Sequence, residues 1–157
     1  TTGIQANDLL FRKLMRDQGA TARVVFGEVA ATAKALGASS RPELQAIAKR
    51  LGDALQAWVK ATEWLAVDAK NGLAGPLTAA VPYLHLAVTV CGGWLMGKAA
   101  LVAADYLDKG EGDQLFYRGK IATAHFYADQ MLPLAASYGE TVRAGSAALA
   151  AVTDEML

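Results

Sequence analysis

One cysteine, Cys91, two histidines, His85 and His125, and four prolines are all that this 157-residue chain holds of three residue types that staple, catalyse or break. A single cysteine excludes an internal disulfide and a cysteine-built metal cluster, and it points to a reducing, cytoplasmic setting. An excess of one charge is missing too, since fifteen Lys and Arg offset fifteen Asp and Glu. With no basic stripe, nucleic acid is not an expected partner. Zero net charge also removes the self-repulsion that keeps monomers apart, which favours association. The opening residues, Thr1-Thr2-Gly3-Ile4-Gln5, have no basic region followed by an apolar run, so they do not read as a signal peptide. They carry no initiator methionine either, and the expectation is a processed chain or a fragment. Period-2 alternation, internal repeats and a flexible linker are all absent from the pattern.

What is present is apolar and helix-forming. Hydrophobic residues make up 54% of the chain and charged ones 19%, enough to build a globular core. Alanine and leucine dominate, and both lose little side-chain freedom in a helix. Ile4 to Asp17 carries Ile4, Leu10 or Phe11, and Leu14 at helical spacing, with Gly19 closing it. Ala20 to Leu36 places Val25, Val29, Ala33 and Leu36 on one face, and Gly37 is a natural stop. Ser40-Arg41-Pro42-Glu43 reads as a capping box for a third helix. Its stripe is Leu44, Ile47, Leu51, Leu55, Trp58 and Leu65, and Lys70-Asn71-Gly72 ends it, for a length of roughly 40 Å. Gly75-Pro76 opens a fourth helix running to about Asp108, with a kink expected at Pro82. After Lys109-Gly110-Glu111-Gly112, Asp113 is the expected N-cap of a last region that continues through a kink at Pro133 toward Ala151. The predicted fold is all-α: an antiparallel bundle of three long helices plus a shorter N-terminal helical pair.

Few residues could carry chemistry. Neither histidine has the glutamate three residues earlier that a di-iron bundle needs, so no metal ligands are assigned. Cys91 sits in an apolar run with no cation within a turn, the setting of a buried and inert thiol. No nucleophile elbow, phosphate loop or carboxylate pair is present, so no catalytic residue is assigned. Asn71 to Gly97 has no formal charge and is long enough to span a membrane. Pro76, Pro82, His85 and the paired glycines argue for a buried bundle helix instead, and peripheral membrane contact stays open. Gly93-Trp94-Leu95-Met96-Gly97 has the Gly-x-x-x-Gly spacing, expected here to let a neighbouring helix pack closely.

Thr1 to Asp17, through Thr-Gly-Ile-Gln (2–5), Asp8-Leu9 and Arg12-Lys13, resembles a segment of the acyl-CoA dehydrogenase family. Cys91-Gly92-Gly93-Trp94, the run Phe116 to Asp129, Leu132-Pro133 and Val142-Arg143-Ala144-Gly145 extend the resemblance. These match the extra C-terminal domain of the larger bacterial members, a branch that includes methylthioalkanoyl-CoA dehydrogenases. On that likeness residues 1–19 are the tail of the catalytic helical domain and residues 20–157 its C-terminal bundle extension. The resemblance implies a flavin oxidation of an acyl-CoA to a trans-2-enoyl-CoA, with a glutamate of a Tyr-Glu-Gly-Thr phrase as base. If Thr1 is that threonine, the base lies two residues upstream of this chain, and the chain alone is expected to be inactive. The residues after the base touch FAD in relatives, which places Thr1, Thr2 and Gly3 near the cofactor. Three residues cannot wall in a flavin, so FAD is expected in the full-length enzyme and not in this chain alone.

The expected role is structural. The bundle would pack on the remainder of its own polypeptide or on another subunit of a homo-oligomer, burying Trp94 and Phe116-Tyr117 at the interface. An electron-transfer flavoprotein would serve the full enzyme. The alternative is a free-standing helical interaction or ligand-binding bundle.

Overall fold

The computed structural model describes residues 2–156, without the side chains of Thr2, Ala150 and Asp154. The chain runs α1 (Thr2–Asn7), a π-helical segment (Asp8–Leu14), α2 (Ala20–Gly37), α3 (Pro42–Asp68) and α4 (Ala74–Lys109). It continues through α5 (Gln114–Gln130), α6 (Leu134–Ala144) and the short α7 (Ala147–Ala150). Among the described residues there is no strand, so the fold is an all-α bundle.

The N-terminal segment departs from a regular helix. In the π-helical turn the N–H groups reach five residues back, as Met15 does to the Leu10 carbonyl at 2.9 Å. The wider turn lines up Ala6, Leu10 and Leu14, spaced by four, as the buried edge. Ile4, expected on that edge from a 3.6-residue period, is instead 66% exposed. Gln18 and Gly19 then take positive φ, 54° and 76°, and turn the chain into α2. The Asp17 carboxylate accepts from the Gly19 and Thr21 N–H groups at 3.0 Å and from the Thr21 hydroxyl. The Thr21 hydroxyl bond, aided by those amides, holds its pKa below 3.8.

α3 buries Leu44, Ile47, Leu51, Leu55, Trp58 and Leu65, the six residues of the predicted stripe. Its start differs from expectation. Arg41 is the N-cap and Pro42 the first helical residue, which sets Ser40 and Glu43 one position too early for a capping box. The Ser39 hydroxyl accepts from the Arg41 N–H at 3.2 Å, and the Gln45 amide closes back on the Ser39 carbonyl at 2.8 Å.

α4 runs for 36 residues with Pro82 inside it and packs against α1, α2, α3, α5 and α6. Gly97 admits α2: a Cβ there would lie 2.9 Å from Leu36 Cδ1. Gly93 faces Leu132, 2.5 Å from the same hypothetical atom. The Gly-x-x-x-Gly pair therefore opens α4 to two different neighbours. Asp113 caps α5 as expected, accepting from the Leu115 and Phe116 N–H groups at 2.9 and 3.0 Å. At Met131–Pro133 the helical path is interrupted, with the Leu132 N–H bonding the Tyr127 carbonyl five residues back before α6 resumes. α5 and α6 both lie on α3 and α4.

One polar chain crosses the core. The Thr62 hydroxyl donates to the Trp58 carbonyl at 2.8 Å, which leaves the Tyr83 hydroxyl to donate to Thr62, also at 2.8 Å. The Trp58 ring meets Phe26 edge to face at 4.9 Å, and its buried N–H, beside the Tyr83 hydroxyl, falls short of a hydrogen bond. Burial pushes the Tyr83 phenol up from 10.0, more than its bond to Thr62 lowers it.

Candidate functional site

The positions first suspected of chemistry do not converge. Thr1 and the side chain of Thr2 lie outside the described residues. Gly3 is half-buried in the opening of α1, and a Cβ added to it would meet nothing nearer than Asn7 Nδ2 at 4.0 Å. The open helical turn at Gly3 is not a walled pocket. Cys91 is a half-buried free thiol whose pKa burial raises. His85 is exposed and stands edge-on to Tyr138 at 5.5 Å, while His125 lies 3.4 Å from Asp129. Among the described residues no three His, Cys, Asp or Glu side chains come together as a metal site.

Two concavities stand out among the described residues. A cavity of about 450 Å³ opens where the N-terminal turn meets α2 and the C-terminal half of α3. Leu14, Phe26, Val59 and Leu65 line it, with Arg23 and Lys70 among its polar residues. A shallower groove of about 310 Å³ runs between α4 and α5, lined by Lys98, Val102, Phe116 and Tyr117 among others. Neither includes Gly3.

The larger unmet surface is one side of α4. Among the described residues α4 is the one helix long and apolar enough to cross a membrane, yet only 44% of its most apolar window is buried in the bundle. The side left open carries Leu77, Val81, Val88, Leu95, Val102 and Tyr106, and four of these are more than half exposed. An apolar stripe of this extent on a surface marks a contact site.

The aromatics expected at an interface divide. Trp94 is half-buried, donates to Thr32 Oγ1 at 2.9 Å and lies under Lys98 Nζ at 4.9 Å, so it ties α4 to α2 within the bundle. Tyr117 stacks on Tyr106 at 4.7 Å. Phe116 alone of the three stands exposed, at 53%. Sequence reasoning missed Val81, Val88, Leu95 and Val102, although their seven-residue spacing is visible in the chain. An apolar residue gives no sign of facing out when every side of its helix is apolar.

The family model described as acetyl-CoA dehydrogenase C-terminal like matches residues 25–153. A 3-methylmercaptopropionyl-CoA dehydrogenase of Ruegeria pomeroyi is 41% identical over 132 residues, covering 84% of this chain and 22% of that protein. A broad-specificity linear acyl-CoA dehydrogenase, FadE5, of Mycobacterium tuberculosis is 34% identical over 156 residues, covering 90% of this chain and 24% of that protein. The chain spans less than a quarter of the length of these curated relatives.

Proposed function

The chain belongs to the acetyl-CoA dehydrogenase C-terminal like family, and on that premise we propose that it is the assembly domain of a larger FAD-dependent acyl-CoA dehydrogenase. In this reading the flavin, the catalytic glutamate and the acyl-CoA pocket belong to the rest of the polypeptide, in a reducing cytoplasm. The bundle supplies a docking face to that body or to another subunit. Residues 1–19 are the tail of the catalytic helical domain, and Thr1, Thr2 and Gly3 contribute one edge of the flavin site there. An electron-transfer flavoprotein takes up the electrons.

The observation that carries this reading is the open side of α4. A 36-residue helix with its apolar residues half uncovered calls for a partner surface more than for water. Placing two carboxylates on that side, with Val88→Asp and Leu95→Asp in the full-length polypeptide, tests it. The expected result is loss of assembly or of thermal stability, with the bundle's own helicity kept by circular dichroism. Unchanged assembly and unchanged melting would overturn the proposal. So would a stoichiometric flavin band from the 157-residue chain purified alone.

A further inference from the structure

We propose that the open side of α4 pairs with α4 of a second copy of this chain, antiparallel, about a twofold axis lying between Cys91 and Gly92. The inference rests on reading that side as an assembly face, and it adds the occupant. Its basis is the spacing of the exposed apolar residues. Leu77, Val81, Val88, Leu95, Val102 and Tyr106 are separated by four, seven, seven, seven and four residues. Seven residues return a helix to within about 20° of the same side. The six side chains therefore form one continuous stripe, and its intervals read the same in both directions.

A twofold axis requires each copy to present the same patch to the other. An antiparallel pair centred between Cys91 and Gly92 meets that requirement residue by residue. Val88 faces the partner's Leu95, Val81 the partner's Val102, and Leu77 the partner's Tyr106. Near the axis Tyr127 of α5 covers Gly92 within each copy, so Val88 and Leu95 carry the contact there.

Charge selects the same direction. Residues 71–97 carry no formal charge, whereas Lys98, Asp105, Asp108 and Lys109 crowd the C-terminal third of α4. A parallel pair would set Lys98 beside Lys98 and Asp105 beside Asp105, and like charges so placed repel. The antiparallel pair lays the charged third against the partner's uncharged N-terminal half.

The size is that of a weak self-association. From Leu77 to Tyr106 the stripe is roughly 43 Å long, at 1.5 Å per residue. Two such stripes about 10 Å wide present roughly 900 Å² in projection, in the range of weak and transient contacts, which lie below about 1,200 Å². Phe116, which borders Val102 across the α4–α5 groove, adds to the rim.

Disulfide trapping tests both the pairing and its register. One chain carries Val81→Cys and the other Val102→Cys with a mass tag, both with Cys91→Ser, and the two are mixed under mild oxidation. The expected product is a covalent dimer holding one of each. Neither variant should cross-link with itself, because two copies of residue 81 would lie roughly 30 Å apart along the axis. The pair Val88→Cys with Leu95→Cys repeats the test in case the first pair folds poorly. By sedimentation, Leu95→Asp should weaken self-association at least tenfold. Cross-links of Val81→Cys with itself would mean a parallel pair and overturn the proposal. A chain that yields no cross-link and stays monomeric also overturns it. If assembly of the full-length polypeptide still fails with Val88→Asp and Leu95→Asp, the docking reading survives that result and the face meets a different part of the enzyme. Retention of the chain on phosphatidylcholine vesicles, lost with the same two substitutions and accompanied by no cross-link, would make lipid the occupant instead.

Discussion

α3 and α4 are the two longest helices, 27 and 36 residues, and they handle apolar surface in opposite ways. α3 turns one apolar stripe inward and gives water Lys49, Arg50, Asp53, Gln56 and Lys60. α4 is apolar around much of its circumference and leaves Val88 and Leu95 each 60% exposed. Of the large apolar residues on α3 only Val67, near its C-terminal end, stands exposed, at 63%. The outer side of α4 has a composition suited to burial but not the burial itself, and the difference separates a helix that completes a core from one that also presents a surface.

The widest expected gap lies between truncations on these two helices. Leu51→Ala removes a side chain with no exposure from the inner face of α3, and urea unfolding should register a loss of about 2–5 kcal/mol. Leu95→Ala on the open side of α4 should stay within about 0.5 kcal/mol in dilute, dissociated chain. Similar losses at the two positions would break the contrast.

Glycines give the next test. Gly93→Ala and Gly97→Ala force a methyl against Leu132 and Leu36, and overpacking of that kind costs about 1–3 kcal/mol. Gly52→Ala on α3 meets nothing within 4 Å and should raise stability by about 0.5–1 kcal/mol through helix propensity. A thermal melt of the three variants ranks them. Loss at Gly52 would show that α3 also carries an outer neighbour.

The smallest effect is pH-dependent and belongs to the buried half of α4. Burial raises the pKa of both the Cys91 thiol and the Tyr83 phenol above their ordinary 9.0 and 10.0. Each group then keeps its proton longer folded than unfolded, so its contribution is complete below the unfolded pKa and declines above it. Stability should begin to fall as pH passes 9 and fall faster above 10. Tyr83→Phe together with Cys91→Ala should flatten that decline, while Tyr83→Phe alone costs about 0.5–1.5 kcal/mol at neutral pH for its bond to Thr62. An unchanged alkaline slope in the double variant would remove α4's inner face as its source.

Much of the fold was legible in the sequence. Gly110 closes α4 at positive φ as local rules predict, and Asp113 caps α5, whereas Gly37 stays helical and Ala38 caps α2. The α3 stripe was readable because its polar residues mark the opposite face. The start of α3 was misread because Pro42 supplied the first helical residue itself and displaced Ser40 from the cap. The π-helical turn escaped because a four-residue spacing also fits an ordinary helix. The interface was the least legible part. Aromatic size pointed to Trp94, but its indole N–H had a partner, Thr32, sixty-two residues away, and only the packed bundle brings the two together.

Trp58 gives the bundle a built-in optical probe. Its indole is 5% exposed, held against the edge of Phe26, with an N–H that finds no acceptor among the described residues. Trp64 and Trp94 stand half out of the bundle. Emission from Trp58 therefore originates in a water-excluded cage at the meeting of α2, α3 and α4, on the blue side of the other two. Docking on the outer side of α4 would leave that component still, and loosening of the core would shift it red, so a single spectrum can separate assembly from unfolding.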